Sequence, residues 1–219
     1  MEFHMVEEAL RHLGAGDAPE DLRRQVAVEA EALSASLRPR FAYRVCELDF
    51  QSERILLRGT AVVLTGTTAF RMLGSCGRAA LLACTLGTRF DLSLAAMQAR
   101  DMARAVILDA CGSALVEQGC DGAEKELAAR FPGQYLTDRF SPGYGDLPLS
   151  LQGDICTALD APRRLGLHVT ESSLLNPVKS VTAVVGLSDQ PQKARIRGCT
   201  YCQMRESCAL HKGGNHCEN

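Results

Sequence analysis

The order of helical and extended segments in this chain of 219 residues predicts an α+β domain followed by a short cysteine-rich tail. Three observations carry that expectation. Ala79 to Gly87 is an apolar run of strand length that ends at a glycine. Ser93 to about Arg130 is rich in alanine, leucine, glutamate and arginine and contains no proline, which favours long helices. Val181, Ala183, Val185 and Leu187 alternate as a strand does.

Taken in order, residues 18–38 predict a helix, with acids in its first turn and Pro39 as its stop. Tyr43 to Phe50 and Arg54 to Gly59 cluster apolar residues around Gln51-Ser52 and predict paired strands. Thr67 to Leu73 reads as a short helix, and the loop after Leu86 as a site edge. The segment 93–130 is expected as one or two helices with a break near Gln98-Ala99-Arg100. Its second half is apolar on most sides, yet Asp109, Ser113 and Glu117 recur every fourth residue and share a face. Pro132-Gly133 ends it, and Tyr135 to Phe140 leads into a loop motif. Leu149 to Leu159 has helical character, Leu167 to Thr170 reads as a short strand, and Val178 to Leu187 as a longer one. The order mixes helices and strands without strict alternation, and no repeat period is visible. After Ser188 the composition shifts to Gln, Pro, Lys and Arg, so the division expected is an N-terminal helical segment 1–39, a core 40–188 and a tail 189–219.

Apolar residues at 46 % and charged residues at 23 % are ordinary globular values, enough for a core without disulfides. The net charge of -2 and pI near 6.2 lack the basic excess that collects phosphates, which argues against nucleic acid and membrane surfaces as partners. The acidic start, Met1-Glu-Phe-His-Met-Val-Glu-Glu, has no basic region leading into an apolar one, and no apolar run approaches the roughly 20 residues of a membrane span. The expected location is the cytoplasm.

Four of the ten cysteines fall in the last 21 residues, and in a reducing compartment such clustering points to metal rather than cross-links. Cys199, Cys202, Cys208 and Cys217 are the candidate ligands, for zinc or for an iron–sulfur cluster; the spacing does not select between them. Cys46, Cys76, Cys84, Cys111, Cys120 and Cys156 lie in apolar surroundings and are expected in the core. There is no Gly-x-Ser-x-Gly, Walker loop, His-Glu-x-x-His or dinucleotide-binding glycine pattern.

The chemistry-bearing stretch is Arg139-Phe-Ser-Pro-Gly-Tyr-Gly-Asp146. Pro142 fixes one φ and the glycines permit φ > 0, so the backbone can turn sharply and offer its amides. Arg139 suits a carboxylate, and Tyr144 a flat or cationic group. The plainer reading is a turn between strand and helix. Thr170-Glu171-Ser172 reads either as a polar cluster at a strand end or as a helix cap. Asp109, Ser113 and Glu117 suit a ligand's ammonium, although such a stripe is more often a solvated helix face.

Arg139-Phe-Ser-Pro-Gly-Tyr144 with its Gly-Asp-Leu-Pro-Leu continuation, Leu165-Gly-Leu-His-Val-Thr-Glu-Ser172 and Asn176-Pro-Val-Lys-Ser-Val-Thr-Ala183 together resemble the activation domain of cobalamin-dependent methionine synthase. Thr85-Leu-Gly87 and the helix from Asp101 to Glu117 look like the same family, so the resemblance spans roughly residues 40–187. It implies a curved, mainly antiparallel sheet with helices packed around it. It also implies that the domain binds S-adenosylmethionine and caps the cobalamin while an oxidised cobalt is reduced and remethylated. On that resemblance Arg139, Ser141, Pro142, Gly143 and Tyr144 form the S-adenosylmethionine site and Glu117 meets the ligand's amino group, with Glu171 and Ser172 nearby. The chain lacks the homocysteine, folate and cobalamin modules of that enzyme and carries a cysteine tail which the domain there lacks. It is therefore expected to act in trans on cobalamin held by methionine synthase modules or another corrinoid protein, with a flavodoxin or ferredoxin as electron donor. A corrinoid docking chaperone or redox adaptor working through the tail, without S-adenosylmethionine chemistry, is the alternative. An unrelated S-adenosylmethionine-dependent transferase on a borrowed fold is a third reading.

Overall fold

A computed structural model describes residues 2–192 together with Ile196 and Glu206. Its centre is a six-stranded antiparallel sheet in the order β3-β2-β1-β4-β8-β5. The strands are β1 (Arg40–Phe50), β2 (Arg54–Leu57), β3 (Val63–Thr65), β4 (Arg78–Thr85), β5 (Tyr135–Leu136) and β8 (Ser180–Ser188). A separate hairpin pairs β6 (His168–Val169) with β7 (Leu175–Asn176). The seven helices of the described residues are α1 (Glu2–His12), α2 (Glu20–Ser36), α3 (Thr67–Leu73), α4 (Thr88–Gln98), α5 (Met102–Arg130), α6 (Leu151–Leu159) and α7 (Ala161–Leu165).

The apolar run of β4 is explained by its central position, since a strand covered on both faces has no solvent side to mark with polar residues. Ala79, Leu81 and Ala83 face a core shared with Met72, Ile155 and Leu165 of α3, α6 and α7. Leu82 and Cys84 face the opposite core, built with Leu10, Val26 and Leu115 of α1, α2 and α5. The first two helices thus share a core with the sheet. All six core cysteines of the sequence reading are buried, and burial pushes the thiols of Cys76 and Cys156 up to about 11 and that of Cys111 to about 12.

α5 is the long element on which the site is built. Asp101 caps it, its carboxylate accepting from the Arg104 N–H at 3.0 Å, a contact that contributes about 1 kcal/mol. Gly119 lets this helix lie close to the sheet: a Cβ there would stand 2.6 Å from the Cys84 sulfur and 2.4 Å from Pro39 Cβ. Leu127 and Phe131 close the helix before Pro132-Gly133 turns the chain back to the sheet edge.

The long elements match the sequence expectation closely, including the helix break, which falls at Ala99 to Asp101. α4 differs in beginning at Thr88, because Gly87, with φ near +79°, turns the chain out of β4 directly into the helix. The short elements β3, β5, β7 and α7 carry too few residues for a period to register. No helix among the described residues is long and apolar enough to cross a membrane.

Candidate functional site

Thr137 and Phe140 both bond to β8, through the Thr137 N–H to Gly186 O at 3.0 Å and the Phe140 N–H to Val184 O at 3.0 Å. Arg139 lies between these attachments, and its side chain returns onto α5. One Nη donates to Asp121 at 2.6 Å and Glu124 at 2.7 Å, and the other donates to Glu117. Glu117, Asp121 and Glu124 are spaced by four and three residues, so they stand on one helix face. The Arg139 side chain is 8 % exposed against 35 %, 40 % and 22 % for its partners. Burial works against its charge, but Glu117 and Glu124 more than offset this and hold the guanidinium above its usual range. Glu117 and Asp121 alone outnumber the guanidinium, so formal negative charge is left over at this point.

The same face continues toward the start of α5, where Lys179 donates to Asp109 at 2.8 Å and to Ser113 at 2.9 Å. His12, at the end of α1, is close enough to feel both ends of the stripe. Its pKa is lowered by burial and by Arg11, raised by Glu8 and Glu117, and lowered again by Lys179. Asp109 and Ser113 therefore hold an ammonium of this chain, where the sequence had suggested a ligand's.

The loop after Arg139 is fixed at both ends. At its far end the Asp146 carboxylate accepts from the Thr67 N–H at 2.6 Å, the Thr67 hydroxyl at 2.8 Å and the Thr68 N–H at 3.0 Å, closing the start of α3. Hydrogen bonds from Thr68 and Thr67 hold this carboxyl well below its ordinary range. Gly145, with φ near +57°, leaves no room for a side chain, since a Cβ would stand 2.3 Å from the Thr68 hydroxyl. Between these anchors Ser141 is half-buried, Pro142 buried, and Gly143 exposed. Tyr144 projects from the loop with 53 % of its surface exposed. The amides that the sequence suggested for a ligand are used within the loop: the Gly143 N–H donates to Leu147 O at 2.9 Å and the Tyr144 N–H to Ser141 O at 3.0 Å.

Glu171 and Ser172 occupy the turn between β6 and β7, so neither caps a helix. The Thr170 hydroxyl lies 3.0 Å from that of Ser172 and accepts from the Leu174 N–H at 3.0 Å. Gln152 of α6 secures the turn by donating to Ser173 O at 2.7 Å. Glu117 and Arg139 are brought into contact; among the described residues no hydrogen bond or ion pair joins Glu171 or Ser172 to them. Asp121, Glu124, Lys179 and His12 were not singled out in the sequence. The signal for Asp121 was present, because the stripe of Asp109, Ser113 and Glu117 continues to it at the same interval. Cys199, Cys202, Cys208 and Cys217 lie outside the described residues.

No family model matches this chain, and a search of curated proteins finds no match. A solved structure does: the MetH reactivation domain bound to AdoHcy superposes with a TM-score of 0.59 at 17 % sequence identity, covering 95 % of this chain and 73 % of that one. At that identity the likeness concerns architecture, and it agrees with the mainly antiparallel sheet flanked by helices. The chain has the fold of the methionine synthase activation domain, as its sequence motifs implied.

Proposed function

We propose that this chain binds S-adenosylmethionine beside Glu117 and the Arg139–Tyr144 loop, and supports reductive remethylation of a cobalamin or other corrinoid carried on another domain or chain. The observation that carries this reading is the surplus of negative charge beside the glycine-bearing loop, where Glu117 and Asp121 outnumber Arg139. S-adenosylmethionine bears an ammonium and a sulfonium against one carboxylate, so a site of this sign attracts it. The shared fold with a domain that binds AdoHcy, the same molecule without its transferable methyl, supports the same ligand class.

When bound, S-adenosylmethionine supplies the methyl group and the corrinoid supplies the metal that receives it. Glu117, the member of the group nearest the stripe's centre and 35 % exposed, accepts from the ligand ammonium. Three of the five Arg139 N–H groups are committed to carboxylates, which leaves the Nε–H and one Nη–H for the ligand carboxylate. Arg139 thus both orients Glu117 and grips the ligand. Ser141, Pro142 and Gly143 set the loop's shape, and Tyr144 offers its ring to a cationic or flat group. Glu171 and Ser172 form the outer rim. The protein's contribution is positioning, and no side chain is required to act as a general acid or base. In this reading the electron comes from a flavodoxin- or ferredoxin-type donor, and the tail cysteines hold zinc or an iron–sulfur cluster.

One observation favours the rival reading of a docking chaperone or redox adaptor: Arg139 is 8 % exposed and three of its N–H groups already meet carboxylates of its own chain. Calorimetric titration with S-adenosylmethionine separates the two. Wild-type protein is expected to bind, and Glu117→Gln to bind about tenfold more weakly, the loss of one charge-assisted hydrogen bond. Absence of binding to the folded wild-type protein would sink the proposal in favour of the adaptor.

A further inference from the structure

Where α5 ends, a cleft of about 430 Å³ opens on the same side of the sheet, lined by Tyr43, Glu47, Arg78, Arg130 and Phe131 among others. None of the residues assigned to the S-adenosylmethionine site lines it, and Arg130 lies six residues beyond Glu124, about 9 Å along the helix. The volume falls in the range of small-molecule sites.

The cleft's charges are unusual for this molecule. Arg78 is half-buried and stands across from Glu47 in the β1–β4 register, yet its guanidinium lies over the Phe131 ring at 4.9 Å from the centroid. Glu47 is turned to Arg58 instead, at 3.7 Å. Neither the Arg78 nor the Arg130 side chain makes a hydrogen bond or ion pair among the described residues. The other arginines near the sheet are committed: Arg40 donates to Leu165 O, Arg44 to the Gly59 and Ala158 carbonyls, and Arg139 to its carboxylates. Arg44 contributes to the cleft wall, but its donors point to those carbonyls.

A guanidinium stacked by one face on a ring keeps its N–H fork in plane and available, which is the geometry that receives an oxyanion in bidentate fashion. Arg78 so stacked, with the exposed Arg130 also in the lining and the one lining carboxylate already matched by Arg58, calls for a ligand bearing two negative charges. Tyr43 supplies a second aromatic wall, steadied by its hydroxyl bond to Glu126 at 2.8 Å. We propose that this cleft binds a phosphate monoester that also bears a flat ring, a ligand of nucleotide size, with Arg78 and Arg130 on the phosphate and Tyr43 against the ring.

Calorimetry of the full chain with AMP, adenosine and inorganic phosphate tests this. AMP is expected to bind more tightly than either fragment, and Arg78→Gln and Arg130→Gln are each expected to weaken it about tenfold. Arg130 is exposed, so its variant keeps the test independent of folding. Arg89→Gln, on the exposed surface of α4, is the control and should leave the affinity unchanged. No AMP binding at millimolar concentration, or an equal loss in Arg89→Gln, would overturn the proposal. Because the titrant is not S-adenosylmethionine, neither result bears on the site at Glu117.

Discussion

The face of α5 carries two cationic groups that look alike and are built differently. Lys179 meets one carboxylate and one hydroxyl, Asp109 and Ser113, and the charges cancel. Arg139 meets three carboxylates and leaves negative charge over. Both cations are nearly buried, with side chains 13 % and 8 % exposed, so burial does not distinguish them. The number of acids does. A cation matched by one acid closes a packing contact, whereas a cation that meets several gathers acids that would otherwise repel.

That contrast gives the largest expected effect. Arg139→Met removes the charge from among Glu117, Asp121 and Glu124 and leaves three like charges on adjacent turns, costing about 3 kcal/mol of unfolding free energy. Urea denaturation measures it. If the cause is the stranded acids, the same substitution in a Glu124→Gln background costs clearly less, since contacting residues are not additive. Equal losses in both backgrounds would show that Arg139 acts through packing and would dissolve the distinction. Lys179→Met is expected to cost about 1 kcal/mol, because Asp109 is 46 % exposed and water takes over its hydration. A loss as large as that of Arg139→Met would erase the comparison from the other side.

The two groups also differ in how far the sequence revealed them. Asp109, Ser113 and Glu117 were visible as a period-four stripe on an otherwise apolar helix, and Arg139 stood out beside Pro142 and the glycines. Their direct contact was not visible, because it depends on the short stretch from Thr137 to Phe140 attaching to β8, a pairing of too few residues to leave a pattern. For the same reason the amides of Gly143 and Tyr144 read as available, although the loop's own carbonyls take them. The sheet was easier to read: β4 and β8 are long and covered, so their side chains report burial directly. Within the helical segment expected over residues 1–39, α1 was not delimited as a separate helix, yet Met5, Ala9 and Leu10 bury in the same core as α5 and bring His12 over the stripe.

His12 supplies the smallest effect and the sharpest probe, since it senses Glu117 on one side and Lys179 on the other. Its pKa is lowered in the folded protein, chiefly by burial and then by Arg11. The unfolded chain therefore takes up the proton first as pH falls below the ordinary 6.5, and stability should fall with it until the folded form is protonated as well. Above 6.5 the imidazole is neutral in both states and contributes no slope. His12→Gln should flatten the stability profile below 6.5 and leave it unchanged above. In Lys179→Met one of the charges depressing His12 is gone while Glu117 remains, so the slope should shrink without vanishing. A slope that survives His12→Gln intact would mean that α1 does not place this imidazole against the stripe, and that the two cationic groups titrate independently of it.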